Sequence, residues 1–140
     1  MSLKISYSRR ALHTPAFALL AEGWNEIVQE GMSPELVGVS PVAPDDEVFH
    51  AVSADGDIVG VLSWSAPTNS GVFKITIAYV EPTSRRKGVF KALMNALREI
   101  ATQDKIVRIT TEIAPMNAIA KAAFGQVGLK PSTVVYDQYM

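Results

Sequence analysis

Arg85-Arg86-Lys87-Gly88-Val89-Phe90-Lys91 brings four cations and a glycine into seven residues, between an apolar run and a helical one. A strand-to-helix turn of this kind grips anions, phosphate above all. The first turn of a helix carries N–H groups with no partner inside the helix, and its dipole places about half a positive charge there. Two other phosphate-gripping patterns are missing, since the chain has neither Gly-x-x-x-x-Gly-Lys-Ser/Thr nor Gly-x-Gly-x-x-Gly.

Two elements must hold the turn. Residues 73–80 set Ile75, Ile77 and Tyr79 on one face and Lys74, Thr76, Ala78 and Val80 on the other, the period of a strand, and Glu81-Pro82 stops it. From Val89 onward, Val89, Leu93, Leu97 and Ile100 recur at helical spacing, with Ala92, Ala96 and Ala101 beside them. A lone basic run is ordinarily a solvated face. The flanking elements and a second motif, described next, favour the anion site instead.

Arg85-x-x-Gly88-x-Phe90 resembles the signature of the GNAT superfamily of N-acetyltransferases: Arg or Gln, two residues, Gly, one residue, then Gly or Ala. Phe90 stands where the family has its last small residue. Asn117-x-x-Ala120-x-x-x-Phe124-x-x-x-Gly128-Leu129 is similar to the family's second segment, Asn-x-x-Ala-x-x-x-Tyr-x-x-x-Gly-Phe. With the strands around them, the two segments cover most of the chain from residue 47 onward.

The resemblance implies an acyl-CoA N-acyltransferase fold with acetyl-CoA as co-substrate. Backbone groups of Ala78, Tyr79 and Val80 would hold the pantetheine arm in a gap between parallel strands. Arg85, Arg86, Lys87, Gly88, Val89, Phe90 and Lys91 would hold the pyrophosphate, mainly through N–H groups, with the Phe90 ring turned away. Asn117 and Phe124 would line the arm from the second helix. The implied reaction is acetyl transfer to a primary amine of a small molecule or peptide. A backbone N–H near Val80 would polarise the thioester carbonyl, and an amine held about 3 Å away would attack it.

The acid and base do not follow from the motif. Phe124 has no proton to give where the family has Tyr. The leaving thiol ionises near the cysteine value, about 8.5, and leaves without a strong acid. Tyr136 and Tyr79 are the substitute donors; Glu112, near the gap, and His50, on the meander, are bases acting through water. The catalytic set is therefore Val80, Glu112 and Tyr136. Plainer roles compete: packed strand aromatics for the tyrosines, a solvated strand end for Glu112, a sheet-face histidine for His50 and a helix N-cap for Asn117. A GNAT-like domain that binds acyl-CoA without turnover is the second reading. A partner-association domain is the third, and an exposed Trp64 or Trp24 would speak for it. Asp45-Asp46-Glu47 offers attraction for a cationic amine, although acidic loops are ordinarily just solvated.

Composition bounds these readings. At 140 residues and 48% hydrophobic, the chain can bury one core and is short for two, so residues 1–140 are expected to form a single domain. A net charge of -1 argues against a nucleic-acid surface. With no cysteine there is no disulfide, thiolate nucleophile or zinc–cysteine site, and His13 and His50 lie too far apart to suggest a metal. The apolar run at residues 16–21 is interrupted by Glu22 and is too short for a membrane span; no leader pattern precedes it, so a cytoplasmic protein is expected, alone or as a homodimer.

The remaining elements frame the site. Residues 5–8 read as a strand. Thr14-Pro15 opens a helix through about residue 30, with Phe17, Leu20, Trp24, Ile27 and Val28 as its apolar stripe. Residues 31–46, rich in Pro and Gly, read as a loop or short helix walling the acceptor site. Strands at 48–52 and 58–65 flank the hairpin turn Ala54-Asp55-Gly56-Asp57, and a second turn spans 67–71. A strand at 106–113, a helix at 117–127 and a strand at 133–139 complete the order. The expected architecture is α/β, an antiparallel meander followed by a parallel strand pair, with helices on both faces of one mixed sheet.

Overall fold

The computed structural model describes residues 2–29, 42–67, 69–113, 117–132 and 138. Its strands are β1 (Leu3–Ser8), β2 (Glu47–Ser53), β3 (Ile58–Ser65), β4 (Val72–Val80) and β5 (Arg108–Thr111). Its helices are α1 (Phe17–Gln29), α2 (Val89–Gln103) and α3 (Ala118–Gln126). The strands form one sheet in the order β1-β2-β3-β4-β5, antiparallel throughout except for the parallel β4–β5 pair. This is the expected mixed sheet, with β1 added to the meander and β5 shorter than its apolar run. The strand expected at 133–139 and most of the loop expected at 31–46 lie outside the described residues.

Each face of the sheet carries helices. On one, Leu93, Met94 and Leu97 of α2 and Phe124 of α3 pack on Phe49, Leu62, Trp64, Phe73 and Ile75. On the other, Ala16, Leu19 and Leu20 meet Val48, Val61 and Ile77, with Trp24 and Tyr79 beside them. The α1 stripe agrees with the expected one at Leu20 and Trp24 and departs from it at Phe17. Thr14 Oγ1 accepts from Ala16 N–H at 3.2 Å, as a capping residue does, but the helix begins at Phe17. The buried positions become Ala16, Leu19, Leu20 and Gly23, and Phe17 is left exposed.

β4 departs from simple alternation. Ser63 pairs with Ile77 and Trp64 with Ile75, so Thr76 is an extra residue on β4, a β-bulge. A bulge shifts the two-residue period by one. Phe73 and Ile75 therefore face α2, whereas Ile77 and Tyr79 face α1, and Ala78 and Val80 turn to the α2 side. The sequence placed Ile75, Ile77 and Tyr79 on one face because the inserted residue is invisible without β3 as its partner.

Gly60 of β3 lies under the first turn of α2. A Cβ there would stand 2.5 Å from Val89 Cγ1 and 3.2 Å from Leu93 Cδ1. Gly60→Val is expected to lift the start of α2 from the sheet and cost about 3 kcal/mol, the upper end of overpacking penalties. The urea midpoint would show it; an unchanged midpoint would mean that α2 docks elsewhere.

Candidate active site

The parallel pairing of β4 with β5 covers Val72 to Ile75 against Arg108 to Thr111 and ends there. Thr111 Oγ1 donates to Ile75 O at 3.4 Å at this apex. Beyond it β4 runs on to Val80 with no strand partner on the β5 side among the described residues. The register decides which groups face this open edge. Gly60 is opposite Val80, and Glu81 N–H donates to Val59 O at 2.9 Å, so Gly60 and Val80 form a non-hydrogen-bonded pair. By alternation so do Leu62 and Ala78. The backbone groups of Ala78 and Val80 therefore point into the gap, where an extended chain can pair with those of Ala78 and with Val80 N–H as an added strand, while Val80 O accepts from Arg85 Nε. Tyr79, paired with Val61, turns its own backbone to β3.

At the C-terminal end of that edge the chain makes a short 3-10 turn, Pro82–Ser84, and enters α2. Arg86 (φ 63°) and Gly88 (φ 81°) are both left-handed, turning the chain twice within three residues. Gly88 is the N-cap of α2 and supplies no side-chain cap. The first bond into the helix runs from Ala92 N–H to Gly88 O, at 3.0 Å, leaving the N–H groups of the preceding turn to an outside acceptor. A Cβ on Gly88 would meet nothing within 4 Å. Arg86, Lys87 and Lys91 are exposed around this end. Open backbone donors, free space and positive charge thus converge where the sequence placed a phosphate site.

Arg85 is engaged differently from its neighbours. Its Nε donates to Val80 O at 2.9 Å, its Nη2 lies 3.3 Å from Glu26 Oε2 of α1, and its guanidinium sits 5.4 Å from the centre of the Tyr79 ring. It ties the loop to the end of β4 and to α1 in place of reaching outward with charge. Tyr79 belongs to the same group, and its phenol is pushed up by burial and by Glu26. Its ring lies on the α1 side, away from the open edge.

Phe90 and Phe124, two of the departures from the family pattern, touch each other. Their rings meet edge to face, with centroids 5.1 Å apart, across the space between the start of α2 and α3. The Phe90 ring is thereby turned toward Phe124. Asn117 is an N-cap, its Oδ1 accepting from Ala120 N–H at 3.0 Å. The end of α3 is fixed by Leu129 N–H donating to Phe124 O at 3.0 Å and by Arg98 Nη2 donating to Val127 O.

The candidate acid–base residues part ways. Glu112 lies just past the apex, and its Oε1 is 2.8 Å from Lys74 Nζ, an ion pair half open to solvent. His50 is buried, its Nδ1 has no partner among the described residues, and burial lowers its pKa. It pairs with Val61 on β3, two strands or about 10 Å from β4. Tyr136 lies outside the described residues. Trp64 is fully buried and Trp24 half-buried, so neither supports a docking face.

The acidic triplet is not one solvated loop. Asp45 pairs with Arg10 at 2.6 Å, and Glu47 accepts from Tyr7 Oη at 2.6 Å; burial and that carboxylate push the Tyr7 phenol up to about 12. Asp46 is 3% exposed, and its Oδ2 accepts from Thr76 Oγ1 at 2.9 Å and Ala43 N–H at 3.0 Å. Thr76 Oγ1 is in turn 2.7 Å from Ser63 Oγ. Sequence reading missed this chain, because its three members come from separate segments and carry no shared spacing.

Residues 15–129 match the acetyltransferase (GNAT) family. No curated protein matches the sequence. Among solved structures, an aminoglycoside acetyltransferase from an uncultured soil metagenomic sample, in complex with sisomicin, superposes with a TM-score of 0.73 at 18% identity, over 99% of this chain and 95% of that one. AAC(6')-Iy with the bisubstrate analogue CoA-S-monomethyl-acetylneamine gives 0.65 at 22% identity, over 100% and 99%. A ribosomal-protein-alanine N-acetyltransferase from Brucella melitensis biovar Abortus 2308 gives 0.68 at 16% identity, over 99% and 100%. At these identities the likeness is one of fold.

Proposed function

The chain belongs to the acetyltransferase (GNAT) family, and from that premise we propose that it transfers the acetyl group of acetyl-CoA to a primary amine of a small molecule or peptide. The observation that carries this reading is the open edge of β4, where Ala78 and Val80 present backbone groups toward the apex while the bare N-terminus of α2 stands at the far end. That arrangement suits a long ligand with an anionic head and an amide-bearing arm. Gly88, Val89, Phe90 and Lys91 would hold the pyrophosphate by N–H groups, with Arg86 and Lys87 adding charge. Ala78 and Val80 would pair with the arm, and Val80 N–H is the donor available to an oxyanion. Asn117 and Phe124 would bound the arm from α3. Acetyl-CoA supplies an activated acyl group; the chain's part is binding and orienting it, and holding the amine in line.

The described residues contain no helix long and apolar enough to cross a membrane. Structural neighbours solved as aminoglycoside and ribosomal-protein-alanine acetyltransferases support an amine acceptor. Release of CoA thiol should be followed with sisomicin, spermidine and an alanine-terminated peptide. Binding of CoA with no thiol release above background for any amine would favour the second reading, an acyl-CoA-binding domain without turnover, which the Phe90–Phe124 contact and the missing phenol at position 124 also favour.

Glu112 is proposed to contribute little as a base, since Lys74 engages its carboxylate. Glu112→Gln should lower kcat less than tenfold, short of the 10²-fold or more expected when a general base is removed. A thousandfold loss with CoA binding intact would restore Glu112 to that role.

A further inference from the structure

Thr76 stands at the apex of the cleft and is joined there to a buried carboxylate from another part of the chain. We propose that Thr76 Oγ1 and Asp46 form the proton-accepting relay of the transfer, Thr76 touching the acceptor amine and Asp46 acting through it. The proposal rests on the acetyltransferase reading and deepens it by supplying the base.

Three observations carry it. The strands part immediately after Ile75, and Thr76 is the bulged residue that follows, so its position is tied to the cleft rather than to the regular sheet. From Val80 back to Thr76 the open edge spans about 13 Å at ~3.3 Å per residue, and a ligand anchored by its anionic head at α2 ends its arm toward Thr76. Finally, Thr76 is partly exposed as a residue, and its hydroxyl donates to Asp46 Oδ2, with Ser63 Oγ against its other side. Asp46 closes a turn as well, through Ala43 N–H on Oδ2 and its own N–H on Ala43 O, at 3.0 Å each. That turn needs only one acceptor lone pair, and a second is given to β4.

The step balances without another reagent. The amine nitrogen forms the amide bond as the carbon–sulfur bond breaks and its electron pair leaves on the CoA sulfur. An acceptor that arrives as an ammonium ion first gives one proton to Thr76 Oγ1 while the Thr76 proton passes to Asp46 and on to water; the proton shed by nitrogen on attack then follows the same path to Asp46. Water then carries a proton from Asp46 to the thiolate, restoring the carboxylate.

The test compares two amines of similar size on acetyl-CoA at pH 7: ethylamine, which is protonated, and 2,2,2-trifluoroethylamine, which is neutral and sheds its proton to water readily once it has attacked. Thr76→Val keeps the shape and removes the hydroxyl; Asp46→Asn keeps a turn acceptor and removes the base. Each should lower kcat/KM for ethylamine by about 10²-fold or more, and for trifluoroethylamine by less than about fivefold. Thr76→Ser should restore the ethylamine rate to within tenfold. The rise in Tm on adding CoA should match wild type in all three. Equal losses for both amines, or full ethylamine activity in Thr76→Val, would overturn the relay and leave the transferase reading standing. No CoA-induced shift in wild type would overturn both, as would no thiol release with ethylamine, trifluoroethylamine, sisomicin, spermidine or the alanine-terminated peptide.

Discussion

Gly88→Asp should abolish CoA binding while leaving the fold intact. In wild type, CoA at 100 times its dissociation constant stabilises by about 2.7 kcal/mol, a rise in Tm of roughly 5–10 °C for a chain of this length. The N-cap Gly88 has φ 81° and open space around its missing Cβ, so a side chain there projects into the space over the helix end without a clash. Asp and Asn are the side chains that best tolerate this left-handed conformation, at a cost of about 1 kcal/mol. They differ chiefly in charge. A carboxylate about 4 Å from a phosphate is repelled by between ~1 kcal/mol, as in water, and ~4 kcal/mol, as near a protein surface. The pyrophosphate carries more than one charge, so the affinity loss should reach a hundredfold or more. Gly88→Asn should weaken binding less than tenfold. Calorimetric titration of both variants with CoA decides the matter: equal affinities for Asp and Asn would remove the anion from this end of α2.

The second large effect is at Phe124. It is 8% exposed and stacks edge to face on Phe90, joining α3 to the start of α2. Phe124→Ala removes a buried ring and should cost about 3–5 kcal/mol, a large part of the 5–15 kcal/mol that holds an ordinary domain. Because the two rings share a contact, the double variant with Phe90→Ala should cost less than the sum of the singles. Phe124→Tyr keeps the ring and adds a hydroxyl at the position proposed to bound the arm. It should fold and turn over at a rate equal to or above wild type. A folded Phe124→Tyr protein with unchanged CoA affinity and activity lower by orders of magnitude would show that this ring does not lie beside the reacting sulfur.

The phosphate loop was legible in the sequence because it is local. Cations, a glycine and a change from a two-residue to a 3.6-residue period all fall within about thirty residues, and the backbone they dictate makes the left-handed turn and the open helix N-terminus proposed to hold phosphate. The Asn117 cap and the Phe124 position were legible for the same reason, as spacings along one helix. Arg85 was read as a phosphate ligand by its charge; its partners, Val80 O and Glu26, lie five and fifty-nine residues away, and only the second makes its role tertiary. The stripe of α1 was read correctly at Leu20 and Trp24 and misread at Phe17, which lies at the first position of the helix, just past the capping turn at Thr14, and stays exposed.

By itself the sequence determined the class of the protein and the order of its described elements, since each of these depends on neighbours in the chain. The tertiary structure alone decided what the cleft contains. The bulge at Thr76 exists only as a mismatch between β4 and β3, and the facing of Ala78 and Val80 follows from register across that pair. Asp46 reaches Thr76 across thirty residues of sequence. Pairing between strands fixes side-chain direction residue by residue, so one inserted residue redirects everything after it, and no periodicity read along a single strand can report it.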